Sequence, residues 1–195
     1  MIRARGLRKT FGEQVVLDGL DLDLAPGTVT ALVGPNGSGK TTVGRILLGL
    51  TTPDAGTLHG LDGRRRAAVF QENRLCEQLS AVRNVRLVLD GGDRAARTTR
   101  AVAELRRVGL DDPSLRKPVL DLSGGQRRRV ALVRALAGDA DLVVLDEPFT
   151  GLDPESRAQA LTYARARCAG RTVLLITHDP ADAAWFGAAV VHLGA

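Results

Sequence analysis

Gly34-Pro35-Asn36-Gly37-Ser38-Gly39-Lys40-Thr41-Thr42 decides how the rest of this 195-residue chain is read. It fits G-x-x-x-x-G-K-[ST], a loop whose glycines let successive backbone N–H groups turn inward and form a nest for phosphate. Val29, Ala31, Leu32 and Val33 precede it as an apolar run that reads as a buried strand. Val43, Ile46, Leu47 and Leu50 follow at i, i+3, i+4, i+7, the stripe of a helix. The loop therefore joins a strand to a helix N-terminus, where the dipole favours an anion. Lys40 adds a full positive charge for β- and γ-phosphates, and the Thr41 hydroxyl is placed to ligate Mg²⁺. The only lysines are Lys9, Lys40 and Lys117, so a general basic bias did not put Lys40 there.

A chain of this length buries one good core and predicts one domain with an inserted subdomain. Apolar residues make up 44%, which excludes a disordered chain. No stretch approaches the roughly 18 apolar residues that span a bilayer. Met1-Ile2-Arg3-Ala4-Arg5 runs directly into Leu7 and Phe11 without the apolar core of a secretory signal, so any membrane role is expected to be peripheral. Cys76 and Cys168 are too few and too unpatterned for a metal site or a disulfide framework. The net charge of +5 admits a nucleic-acid partner, but aromatics are only 3% and the arginines are spread along the chain, so no nucleic acid is expected. Arg64-Arg65-Arg66 and Arg127-Arg128-Arg129 are the dense clusters. Both read as solvated faces, with a membrane-surface or partner contact as the alternative.

Residues 2 to 33 alternate short apolar runs with turns such as Ala25-Pro26-Gly27 and predict strands and hairpins. Ala67 to Phe70 is a further short strand. From about Gln71 to Leu122 the character becomes helical: Val82, Val85, Leu87, Val88 and Leu89 form one apolar group, and Val102, Leu105 and Val108 another that stops at Gly109. Leu142 to Asp146 and Thr172 to Thr177 are continuous apolar runs, as buried parallel strands should be. Ser123 with Gln126 fits a capping box. Asp153-Pro154 and Asp179-Pro180 each pair an N-cap with proline at the first helical position. The first and last thirds thus predict a doubly wound α/β core and the middle third a helical insertion.

Asp146 ends a buried strand and can hold Mg²⁺. Glu147, one residue further, points elsewhere and can polarise an attacking water. Leu122-Ser123-Gly124-Gly125-Gln126 offers a second phosphate-friendly surface: a serine hydroxyl, glycine backbone and a helix start.

Gly34 to Thr42, Leu122 to Gln126 and Leu142 to Pro148, in this order, resemble the ATP-binding-cassette (ABC) family of ATPases over nearly the whole chain. The resemblance implies a P-loop NTPase-type α/β fold: a mostly parallel sheet, a small antiparallel β region and an inserted helical subdomain. It implies one domain, 1–195, with a core of 1–70 and 123–195 and a helical subdomain of about 71–122. It implies an ATP site of Phe11, stacked on adenine, with Gly34, Pro35, Asn36, Gly37, Ser38, Gly39, Lys40, Thr41 and Thr42. Mg²⁺ would be held by Thr41, Gln71 and Asp146, and the catalytic residues would be Glu147, His178 and Gln71. Ser123, Gly124, Gly125 and Gln126 would contact the γ-phosphate of ATP held by a second cassette. Asp153 matches the loop at the dimer interface.

The partners implied are a second ABC ATPase subunit, identical or not, and a transmembrane permease, with or without a solute-binding protein. The surface from Gln71 to Arg86 would receive the permease at the cytoplasmic face of the membrane. Val69 to Leu75 resembles importer-type ATPases serving nitrate, sulfonate or taurine-like solutes. Two departures bear on regulation: the stretch between the P-loop helix and Gln71 is short, and the chain ends 17 residues after His178. A soluble mechanochemical ATPase acting on nucleic acid or ribosomes is the alternative. A regulatory sensor with dead chemistry is a third reading, against which Glu147 and His178 argue.

Overall fold

The continuous apolar runs 29–33, 142–146 and 172–176 become strands, and the segments after the Ser123, Asp153 and Asp179 caps become helices. The computed structural model describes residues 1–194. In chain order the elements are β1 (Ile2–Phe11), β2 (Gln14–Leu24), β3 (Val29–Val33), α1 (Lys40–Leu47), β4 (Ala55–His59), β5 (Arg66–Val69), α2 (Ala81–Arg86), α3 (Arg94–Arg106), α4 (Asp112–Arg116), α5 (Gly124–Ala137), β6 (Leu142–Asp146), α6 (Pro154–Cys168), β7 (Thr172–Ile176), α7 (Pro180–Phe186) and β8 (Ala189–His192). The chain divides into two units. One comprises residues 1–68, 140–147 and 169 onward; the other comprises 69–139 and 148–168.

The first unit holds both sheets. β2, β1 and β4 form a three-stranded sheet in which β1 pairs antiparallel with both neighbours. The second sheet has the order β5-β6-β7-β3-β8, with β6, β7, β3 and β8 paired in parallel. Every residue of β6 and β7 is buried, which explains why these strands read as unbroken apolar runs. Leu32, Ile46, Leu47, Leu142, Val144, Leu174 and Ile176 pack in one core with Leu7, Leu17 and Leu24 of the smaller sheet. The α/β fold class with a mostly parallel sheet and a small antiparallel region is thus the observed one.

The α1 stripe is one turn shorter than its spacing predicts. The helix ends at Leu47, Gly49 takes a left-handed φ of 74°, and the Leu50 N–H reaches back to the Arg45 carbonyl. This is the reversal that glycine supports past a helix end, and it leaves Leu50 half exposed rather than in the core.

The second unit packs α2, α3, α5 and α6 together. Its centre contains polar ties that no hydrophobic pattern announces. Glu104 of α3 is buried and accepts from the Tyr163 hydroxyl at 2.8 Å and Arg167 Nε at 3.0 Å, both on α6. Burial alone would push the Glu104 carboxyl upward, but the donated bonds outweigh it and hold the group below its usual range. Asn84, fully buried on α2, donates to the carbonyls of Cys76, Leu79 and Ser80 and accepts from the Cys76 N–H. One side chain thereby folds the segment before α2 back onto the helix.

The arginine cluster on α5 is not a solvated face. Arg128 is 5% exposed, Arg129 donates to the Val108 and Gly109 carbonyls, and Arg127 to the Leu120 carbonyl. Backbone acceptors distant in sequence draw Arg128 and Arg129 inward, whereas half-buried Arg127 reaches a carbonyl only seven residues back. Arg65 and Arg66 of the other cluster are exposed, as expected.

Candidate functional site

In the first unit, β3 delivers the loop 34–39 to the start of α1. Two of its glycines are required by geometry. A Cβ at Gly39 (φ 94°) would lie 2.8 Å from both Leu17 Cδ2 and the Val16 carbonyl oxygen, and one at Gly34 would lie 2.3 Å from the Leu193 oxygen. Gly39 gives α1 no side-chain cap, and no acidic residue stands in the first turn. The first N–H groups of α1 are therefore donors without a helical partner, aimed where an anion would sit. Ser38 Oγ in the same loop is buried and has no partner among the described residues. Buried hydroxyls rarely stay unsatisfied, so the loop fits a group rich in acceptor oxygens.

Lys40 is 8% exposed, and its Nζ donates to the carbonyls of Gly34 at 2.8 Å and Pro35 at 2.7 Å. An ammonium has three donors, so one is left for a phosphate oxygen. Thr41 Oγ1 donates to Asp146 Oδ2 at 2.7 Å, bringing together two residues 105 positions apart. Asp146 itself is 4% exposed. A hydroxyl beside a carboxylate is a pair of hard oxygen donors, the set Mg²⁺ accepts when phosphates supply further ligands. Among the described residues no cluster of three or more His, Cys, Asp or Glu could hold a metal ion.

Glu147 follows at φ 48°, a left-handed backbone that non-glycine residues rarely adopt. Its N–H is held by the Ile176 carbonyl of the neighbouring strand at 2.9 Å. Such local strain concentrates at functional positions. His178 Nδ1 lies 2.9 Å from each Glu147 oxygen. The histidine turn is braced by Thr177, whose hydroxyl donates to the buried Asp182 at 3.0 Å and accepts from the Asp179 N–H at 3.1 Å. The Glu147 hydrogen bond, followed by its charge, raises the His178 pKa above its ordinary 6.5. His178 is 67% exposed, so solvent screens the pair. A raised pKa contributes stability that is complete below the unfolded value and is lost as pH rises through the folded value. The melting-temperature gap between the native chain and His178→Ala is therefore expected to be widest below the ordinary histidine value of 6.5 and to shrink as the pH rises above it. Thermal melts on both sides of that value check it, and a gap that widens with pH would refute the pairing.

Phe11 ends β1 and is 51% exposed, with Lys9 Nζ 5.4 Å from its ring centroid. Pro35, Asn36 and Gly37 are exposed and Thr42 is half-buried.

In the second unit, Gln71 is exposed and its carbonyl accepts from Arg128 Nη1 at 3.2 Å. Ser123 caps α5 with both arms of a capping box: its Oγ accepts from the Gln126 N–H, and its N–H donates to Gln126 Oε1. Gln126 Nε2 then donates to Ser114 Oγ at 2.9 Å, which fixes the cap to α4. Gly124 and Gly125 sit in helical conformation. A Cβ at Gly124 would meet nothing within 4 Å, and one at Gly125 only ordinary contacts at 3.6 and 3.9 Å. Neither glycine is required by a close contact or a left-handed backbone, and both occupy the first turn of a helix, where alanine would be the better former. Asp153 is exposed and accepts the Ser156 N–H at 2.9 Å as the cap of α6; that bond holds its carboxyl below the usual range. Arg128 is the residue that sequence reasoning missed.

The family model described as "ABC transporter" matches residues 17–150. An aliphatic sulfonates import ATP-binding protein from Frankia alni is 46% identical over 184 residues, covering 93% of this chain and 67% of that protein. A Nod factor export ATP-binding protein from Cupriavidus metallidurans is 40% identical, covering 91% and 63%. The chain thus spans about two thirds of the length of the curated relatives it matches. The solved structure of the MJ0796 cassette, described as a dimeric post-hydrolysis state bound to ADP and Pi, superposes with a TM-score of 0.88 at 26% identity, covering 99% of this chain and 94% of that one. An anion-ready loop, the Thr41–Asp146 donors and a glycine pair with no intrachain purpose find one explanation in these matches: the chain belongs to the ABC transporter family.

Proposed function

We infer that this chain is the ATP-binding and ATP-hydrolysing subunit that powers solute transport across a membrane, by closing on ATP together with a second cassette. It is read as one ABC ATPase domain, with residues of about 71–122 as its helical subdomain. The observation that carries the reading is the glycine pair Gly124-Gly125: open at Cβ and costly to its helix, it has its reason outside the chain. One chain carries one phosphate loop and one such surface, so a complete site needs two.

The loop donors and Lys40 neutralise the β- and γ-phosphates, and Phe11 stacks on the base. Thr41 and Asp146, with Gln71, would hold Mg²⁺, which when bound offsets phosphate charge. Glu147 takes the proton of the attacking water, and His178 fixes the orientation of that carboxylate while facing the γ-phosphate. Ser123, Gly124, Gly125 and Gln126 cover the γ-phosphate from the partner cassette, and Asp153 stands at the same interface. Phosphate release removes the charges that hold the two cassettes together, and the dimer opens. The relatives' names, import and export ATP-binding proteins, favour a transporter over a soluble machine working on nucleic acid or ribosomes.

The membrane partner is proposed to be a permease. No helix of the described residues is long and apolar enough to cross a membrane. Within the second unit, Arg83, Arg86, Arg106 and Arg116 surround a cleft of about 570 Å³ floored by Val82, Val102 and Leu115. Among the described residues only Arg106 of these four is paired with an acid, Asp112 at 2.7 Å. This cleft, which takes Gln78, Arg83 and Arg86 from the 71–86 stretch, suits a short acidic permease element at the cytoplasmic face. The Arg83→Glu, Arg86→Glu double variant is expected to retain MgATP binding and to lose copurification with the membrane fraction by at least about tenfold, a change of about 1.4 kcal/mol. Full copurification of that variant would remove the cleft from the reading.

A further inference from the structure

Arg128 lies on the second turn of α5, the helix that Ser123 caps. It is 5% exposed. Its Nε donates to the Pro148 carbonyl at 3.1 Å. Its Nη1 donates to the Phe70 carbonyl at 2.5 Å and the Gln71 carbonyl at 3.2 Å, and reaches Asn73 Oδ1 at 3.4 Å. Farther along α5, Arg134 Nη2 reaches the Asn73 carbonyl at 3.4 Å. The 70–74 segment is itself sharply shaped: Arg74 adopts a left-handed φ of 45° and lies 4.2 Å over the Phe70 ring.

A guanidinium is a rigid planar fork of five donors, which can hold several acceptors in a fixed relation. Burying one is costly unless those donors are used. Here they grip two stretches of main chain. One carries Gln71. The other is Pro148, which directly follows Glu147, the residue already held in a left-handed conformation. The distance between these stretches along the chain is large, yet one planar group sets both.

We propose that Arg128 is a positioning residue for hydrolysis: it fixes the backbone at Gln71 and at the residue after Glu147, and ties both to the helix that begins with the serine-glycine surface. This rests on the reading of Glu147 and Gln71 as hydrolytic residues. Arg128 touches no reacting atom. It sets where the residues that do can stand, so its loss lowers turnover rather than nucleotide affinity. A lysine has a point-like ammonium without a planar fork and cannot satisfy the same acceptors in the same directions.

The test compares Arg128→Lys, Arg128→Gln and Glu147→Gln with the native chain, measuring kcat, KM, MgATP Kd and the thermal melt of each. Arg128→Lys and Arg128→Gln are expected to melt cooperatively, to bind MgATP within threefold of native, and to lose at least tenfold in kcat. The proposal is overturned if kcat per folded chain stays within twofold of native, if the loss appears equally in Kd, or if neither variant folds, because each of these describes a merely structural residue. The Glu147→Gln arm separates the two layers. Turnover surviving there refutes the assignment of Glu147; turnover abolished there but preserved in both Arg128 variants refutes only the positioning role.

Discussion

Glu147→Gln is expected to reduce ATP turnover by at least about 10²-fold, the lower bound of what a positioned general base supplies. The substitution changes little else. Glutamine has nearly the same volume, and its remaining carbonyl oxygen can still accept from His178 Nδ1, now 2.9 Å from both carboxylate oxygens. The left-handed φ of 48° is no harder for glutamine than for glutamate. What disappears is the ability to take a proton. MgATP affinity should therefore be kept, because the donors of the phosphate loop and Lys40 are untouched. A chain that closes on ATP but cannot hydrolyse it should accumulate as a dimer at saturating MgATP. Phosphate release and light scattering on the same samples report both effects. Turnover within fivefold of native would remove Glu147 from the chemistry, and a hydrolysis-blocked chain that stays monomeric with its permease present would remove the shared site.

The glycine-rich turn from β3 into α1, the buried strand ending at Asp146 and the Ser123 capping box were legible in the sequence because each depends on residue types at short, fixed offsets. Local spacing alone determines that a glycine precedes a lysine at a helix start or that Gln126 reaches back to Ser123. The stripe through Leu50 misled because periodicity says nothing of where a helix stops; Gly49 was the signal for that end. Arg128 was illegible for a different reason. Three consecutive arginines look like a solvated face, and the acceptors that draw Arg128 inward lie 20 and 58 residues away. The same holds for Glu104, whose burial beneath α6 depends on Tyr163 and Arg167, 59 and 63 residues distant. Polar burial is a tertiary fact, and a single sequence carries no local trace of it.

Gly125→Asp is expected to separate stability from function in opposite directions. Within the lone chain the substitution has room: a Cβ there meets only Leu152 Cδ2 at 3.6 Å and the Gly151 carbonyl at 3.9 Å. Removing a helical glycine recovers a few tenths to about 1 kcal/mol, and a carboxylate in the first turn is favoured by the dipole. The variant should melt no lower than the native chain and bind MgATP within threefold of it. Its turnover should nevertheless fall by at least about 10²-fold, because in the proposed shared site a negative charge would then face the γ-phosphate where a preorganised donor surface is needed. Mixing decides whether that phosphate belongs to the other subunit. Gly125→Asp and Lys40→Met chains each form dead homodimers, but a mixed dimer pairs one intact loop with one intact glycine surface. Random pairing of a two-fold dimer makes half the dimers mixed, each with one of two sites intact, so about a quarter of native turnover should return. Recovery on mixing requires the site to be shared across the dimer. Native-like turnover by Gly125→Asp alone, or no recovery on mixing, would place hydrolysis within a single chain and refute the shared site.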